Sequence, residues 1–164
     1  MNKKKVIVII DKSCKNELDS LQEIIKKWFP EKYYDIDIYS RDSFRNMNVN
    51  FIWMEERLPI VIGYGYGAVY LEQVKNYSIK FLISPFWNEN LLGSIFYNID
   101  DYDRQNTYCL FGDNPKSLEM ATLYSKHYPK TLSNLCEGKL NIIDGIEICG
   151  ILNLFSFEGK KFEQ

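Results

Sequence analysis

Three glycines at alternate positions, Gly63-Tyr64-Gly65-Tyr66-Gly67, follow a hydrophobic run and precede a helix-like stretch. Small residues in that frame let a chain turn sharply from strand to helix. In the pattern G-x-S-x-G the turn lifts a serine above the sheet as a nucleophile. Here Gly65 stands at the serine position. Acyl transfer also needs a base for the nucleophile's proton and donors for the oxyanion. Cys14 is the thiol expected in a pocket-lining loop, with Lys12 and Lys15 close enough in sequence to lower its pKa. Its alternative is an inert thiol. Tyr64 and Tyr66 offer hydroxyls to a ligand or rings to the packing. His127 is the only histidine, so His-based catalysis and metal binding have few options; beside Tyr128-Pro129 it reads as a helix-end residue.

The same glycines satisfy a second pattern. Gly63-x-Gly65-x-x-Ala68 fits the relaxed dinucleotide fingerprint G-x-G-x-x-G/A, in which glycines let a pyrophosphate approach a helix N-terminus. That fingerprint belongs to the first βα turn, whereas this one follows the third strand-like run. The acidic residue expected about 20 residues on, for the ribose, has no clear candidate near the end of the fourth. A nucleotide or flavin binder is therefore the minor alternative, and a tight, close-packed turn is the simplest reading.

At 164 residues the chain is read as one domain, 1–164, with 46% apolar and 26% charged residues. A net charge of −2 argues against nucleic-acid binding, and Lys3-Lys4-Lys5, the one tight basic run, reads as a solvated terminus. No apolar stretch approaches the ~20 residues of a membrane helix, and no secretory signal is evident. Cys14, Cys109, Cys136 and Cys149 are widely spaced, so a reducing cytoplasm is the expected setting. No metal or cofactor is expected.

Strand-like and helix-like runs alternate throughout. Strands are expected at 5–10, 35–39, 60–62, 79–83, 107–111 and 131–136. Helices are expected at 17–29, with Leu18, Leu21, Ile25 and Trp28 in phase before Pro30, and at 68–77, 116–127 and 145–157; 43–56 permits a short one. Such alternation predicts an α/β fold: a three-layer, mostly parallel sheet of about six strands with helices on both faces. Segment 85–105 fits no regular element and reads as a covering segment over the strand C-terminal ends or a self-packed surface loop. If the second strand lies outside the first, the ligand-binding switch point falls between strands one and three. Asp11-Lys12-Ser13-Cys14 and 63–67 would then build the pocket, with 112–115 and 137–141 on the same rim.

Over nearly its whole length the pattern resembles a small bacterial esterase of the α/β-hydrolase superfamily. The glycine turn matches that family's nucleophile elbow. Phe111-Gly112-Asp113 is similar to the loop supplying the acid, placing Asp113 at the triad carboxylate. Glu137-Gly138-Lys139-Leu140-Asn141 is similar to the turn ending in the catalytic histidine, placing Asn141 there. The first loop, which in the family gives an oxyanion-hole amide, reads Asp11-Lys12-Ser13-Cys14 without a glycine. The resemblance implies a degenerate triad, because Gly65 has no side chain and Asn141 cannot exchange a proton near neutral pH. Only the acid and a possible amide donor at Tyr66 remain. It implies a pseudoenzyme that binds an unknown small molecule or protein partner, with pocket positions Lys12, Ser13, Cys14, Tyr64 and Tyr66. The alternative is a hydrolase using a displaced constellation, Cys14 or Tyr66 with Asp113. If the pocket at Gly65 is open, Gly65→Ser with Asn141→His is expected to give weak esterase activity.

Overall fold

A computed structural model describes residues 3–41, 58–85, 96 and 98–155, with the side chains of 12, 13 and 41 outside that set. Six parallel strands form one sheet in the order β2-β1-β3-β4-β5-β6. They are β1 (Lys4–Asp11), β2 (Tyr34–Arg41), β3 (Ile60–Tyr64), β4 (Ile79–Ile83), β5 (Thr107–Leu110) and β6 (Thr131–Leu132). The described α-helices are α1 (Leu18–Trp28), α2 (Tyr66–Leu71), α3 (Asp101–Asn106), α4 (Pro115–Ser125) and α5 (Ile142–Leu154), with a 3-10 turn at Lys12–Glu17 before α1. The expected α/β class and strand count are thus observed, and β2 lies outside β1. The short helix expected at 43–56 lies outside the described residues.

The continuous apolar run of β1 is what a strand covered on both faces requires. Its side chains alternate. Val6, Val8 and Ile10 pack with Leu21 and Ile25 of α1 and Ile142, Ile146 and Cys149 of α5. Ile7 and Ile9 pack on the other face with Ala68–Leu71 of α2 and with Met120, Ala121 and Tyr124 of α4. Three layers follow from this period of two. α1 and α5 touch where Gly150 meets Trp28; a β-carbon there would stand 2.6 Å from Trp28 Cδ2.

Boundaries differ from expectation for local reasons. β6 stops at Leu132 rather than 136, because Asn134 turns to φ 59° and Asn134 and Leu135 donate back to Gly112 and Phe111. α2 begins at Tyr66, immediately after the glycine turn, and ends at Leu71; Val74 and Tyr77 continue as buried coil. α5 begins three residues earlier than expected, with Asn141 as its N-cap.

Helix α3 falls in the segment read as irregular. Its signal is an acidic capping box: Asp100 accepts from Asp103 N–H at 2.8 Å, and the Asp103 carboxylate accepts from Asp100 N–H at 3.1 Å. This part of 85–105 packs where β4 and β5 begin, since Tyr102 donates its hydroxyl to the carbonyls of Tyr77 and Ser78. Phe96 stacks on His127 at 4.2 Å, also at the strand N-terminal end. Residues 86–95 and 97 lie outside the described set.

Candidate functional site

The strand order reverses between β1 and β3, so their C-terminal ends open the crevice where ligands of doubly wound sheets bind. The glycine turn stands there. Gly65 adopts φ 61°, ψ −121°, a backbone state costly to any residue with a β-carbon. It donates to Ile83 O at 3.2 Å and accepts from Val69 N–H at 3.3 Å, which pins the turn between β4 and α2. A β-carbon on Gly67 would stand 2.8 Å from the Ile9 carbonyl carbon, so this glycine lets α2 lie directly on β1. The sharp strand-to-helix geometry of an elbow is therefore present.

The space directly above Gly65 is filled. Asp11, the last residue of β1, is 8% exposed and turns its carboxylate over the turn. A β-carbon on Gly65 would stand 2.9 Å from Asp11 Cγ and closer still to Oδ2. The expected topology puts both residues at one pocket, but their direct contact across 54 positions is decided by the register of β1 on β3. The carboxylate lies beside the first turn of α2, where the partial positive charge of a helix start favours an anion. It also occupies the ground a pyrophosphate would need, which counts against the dinucleotide alternative.

The other positions resolve individually. Cys14 is 1% exposed, packs in the core and donates its thiol to Asp11 Oδ1 at 3.9 Å. It is not pocket-lining, and a nucleophile so placed meets no substrate. The side chains of Lys12 and Ser13 lie outside the described set. Tyr64 is 6% exposed, with Lys139 Nζ 5.3 Å from its ring centre. Burial drives its phenol pKa up, and the charges of Cys14, Asp11 and Glu17 push the same way. Tyr66 is half-buried.

Asp113 and Asn141 are both tied to backbone. Asp113 Oδ1 accepts from Gly138 N–H at 2.6 Å, while its own N–H donates to Gly138 O at 2.9 Å. It clasps the loop after β5 to the loop after β6. Asn141 Oδ1 accepts from Asp144 N–H at 2.8 Å and caps α5. Asn141→Ala should accordingly cost about 1 kcal/mol in urea unfolding, with Asn141→Asp near wild type. An equal loss from both variants would show that the residue does something besides capping.

Sequence reasoning passed over two rim features. Cys136 is half-buried on the loop after β6, its thiol 4.0 Å from Gly138 O. Burial raises its pKa, helped by Asp144 and Asp113, so it stays a thiol rather than a reactive thiolate. The second is a cavity of about 170 Å3 between the ends of β4 and β5 and the start of α4, lined among others by Ser84, Phe111, Ser117, Met120 and Lys139. A larger groove of about 330 Å3 runs along α1 and edge strand β2, away from these strand ends.

Among the described residues no group of three or more His, Cys, Asp or Glu side chains is placed to hold a metal ion. No described helix is long and apolar enough to cross a membrane. Compared with known proteins, the chain matches no family model, no curated protein and no solved structure.

Proposed function

We propose that this chain is a catalytically silent α/β-hydrolase-like protein that binds a small molecule at the strand C-terminal rim. Three features support the reading. The elbow-like turn follows β3, and the loops carrying Asp113 and Asn141 follow β5 and β6, in the chain order an esterase of this type needs. Gly65 and Asn141 supply neither nucleophile nor base. The rim nevertheless carries a cavity.

The observation that carries the reading is the Asp11 carboxylate in the space a nucleophile's β-carbon would fill. A chain that had merely lost its serine would leave that space open. Here a second side chain has closed it, and the displaced alternative is weakened because Cys14 is buried and Asp113 bonds to Gly138.

The test is turnover of p-nitrophenyl acetate and butyrate and of a short acyl thioester, together with labelling by a fluorophosphonate probe. The expected result is no rate above buffer and no label. Turnover that disappears in Asp11→Ala or Cys14→Ala would overturn the reading.

A further inference from the structure

The rim cavity is small, mostly apolar in its walls and basic at its mouth. Phe111 (1% exposed), Met120 (4% exposed) and Pro85 give the apolar wall. Lys116 and Lys139 also line it. Neither lysine is strongly committed elsewhere: Lys116 pairs at 3.8 Å with Glu119, both more than half exposed, and Lys139 stands over the Tyr64 ring. The nearby acid Asp113 is engaged with Gly138 N–H.

Ser117, 6% exposed, also lines the cavity and offers its hydroxyl there as a donor that solvent still reaches. Its neighbour Ser84, by contrast, is satisfied, donating to Leu140 O at 2.7 Å. The first turn of α4 adds little: Asn114 takes the Ser117 N–H at 2.8 Å, Pro115 has none, and Leu118 donates to Asn114 O. Only the Lys116 N–H is left open among the described residues.

These donors discriminate between anions. A phosphate needs several converging N–H groups around three oxygens, as phosphate-binding loops provide. One open N–H, one hydroxyl and two lysine point charges suit the two oxygens of a carboxylate. Size sets the rest: a cavity of ~150 Å3 holds a benzene ring, and this one is about 170 Å3.

We propose that the cavity between the ends of β4 and β5 and the first turn of α4 binds a small amphipathic monocarboxylate. A benzene-sized ring or short acyl chain lies on Phe111 and Met120, and the carboxylate meets Lys116, Lys139 and the Ser117 hydroxyl. This rests on the reading of the rim as a binding site rather than a cutting one.

The experiment titrates benzoate, hexanoate, benzamide and inorganic phosphate into the full chain, followed by amide chemical shifts and calorimetry. Benzoate or hexanoate should bind with shifts centred on Lys116–Met120, and at least about tenfold more tightly than benzamide or phosphate. Lys116→Gln and Lys139→Gln, changes on exposed side chains that leave the fold intact, should each weaken the carboxylate about tenfold and leave benzamide unchanged. Phosphate binding as well as benzoate, carboxylates indifferent to both lysine changes, or no shift at 10 mM carboxylate, roughly the weakest binding worth the name, would each overturn the assignment. Ester turnover measured on the same samples addresses the silent-enzyme reading separately. A chain that hydrolyses esters fails that reading, whereas an inert chain that ignores benzoate fails only this one.

Discussion

Gly65→Ser, the substitution that would restore an elbow serine, is expected to unfold the protein at markedly lower urea and to restore no hydrolysis. Two costs add. The backbone at φ 61°, ψ −121° penalises a β-carbon by about 2 kcal/mol. Driving that carbon into the buried Asp11 carboxylate adds about another 2 kcal/mol of overpacking. Against a stability of roughly 5–15 kcal/mol for a domain, the variant should be visibly compromised at 37 °C.

The two costs separate in a double-mutant cycle. Asp11→Ala removes the clash but not the strain, so the pair with Gly65→Ser should show a coupling of about 2 kcal/mol in favour of the double mutant. A Gly65→Ser protein within ~0.5 kcal/mol of wild type would mean that Asp11 swings away freely and does not close the crevice. Activity follows the same logic. Gly65→Ser with Asn141→His needs an open site for weak esterase activity, and Asp11 occupies the place of the serine side chain. Asn141 also caps α5, so the histidine would remove a cap as well. The double variant should stay at the buffer rate.

The strands were legible because each is an apolar run bounded by turn chemistry, and buried parallel strands need little else. The alternation in Asp35-Ile36-Asp37-Ile38-Tyr39 suits an edge strand, but the switch point stood only on the condition that β2 lies outside β1, which the strand order meets. Ends were harder. β6 is ended by a left-handed Asn134 that no local run announces, and α3 by its length alone resembles a turn until Asp100 and Asp103 are seen to cap one another. The site was half legible. Gly65, Asp113 and Asn141 do fall at strand-end turns, because chain order fixes which loop follows which strand. What each side chain does there depends on contacts across the sheet: Asp11 over Gly65, Asp113 on Gly138, Ser117 inside a cavity. Single-sequence patterns carry the periodicity of an element and not the partner it meets. Cys14 illustrates the limit, since its loop follows β1 while its thiol packs in the core.

At the opposite end of the sheet lies a cluster with a second large expected effect. Glu72, just after α2, is 7% exposed; both carboxyl oxygens and the facing Tyr124 hydroxyl are buried and outside hydrogen-bond geometry. Lys80 of β4 is 1% exposed, donates to Val74 O at 2.8 Å and sits 4.3 Å from the Tyr77 ring centre. Asp103 holds Lys75 and Tyr77. Burial alone would raise its pKa, but bonds from Lys75, Tyr77 and the Asp100 N–H hold it below the ordinary value. Glu72 has no such support. Burial pushes it up to about 8, against the pull of Lys80. Burial brings Lys80 down to about 8, although Asp103 and Glu72 hold it up.

The signs are opposite and meet near the same pH. A carboxyl with a raised folded pKa contributes stability that is complete below about 4.5 and is lost as pH rises through about 8. An amine with a depressed folded pKa contributes stability present above about 10.5 and lost as pH falls through about 8. Both contributions are thus smallest around pH 8. At about 1.4 kcal/mol per pH unit, wild type should lose on the order of 3–4 kcal/mol between pH 5 and 8 through Glu72. Glu72→Gln cannot ionise. It should match wild type at pH 5 to within about 1 kcal/mol and exceed it by about 3 kcal/mol at pH 8. Urea unfolding at pH 5, 6.5 and 8 measures the divergence. Parallel curves for the two proteins would show that Glu72 reaches water or a firm partner and is ionised throughout. Lys80→Met provides the complementary reading, because it should remove the recovery of stability above pH 8 while leaving the fall below it in place.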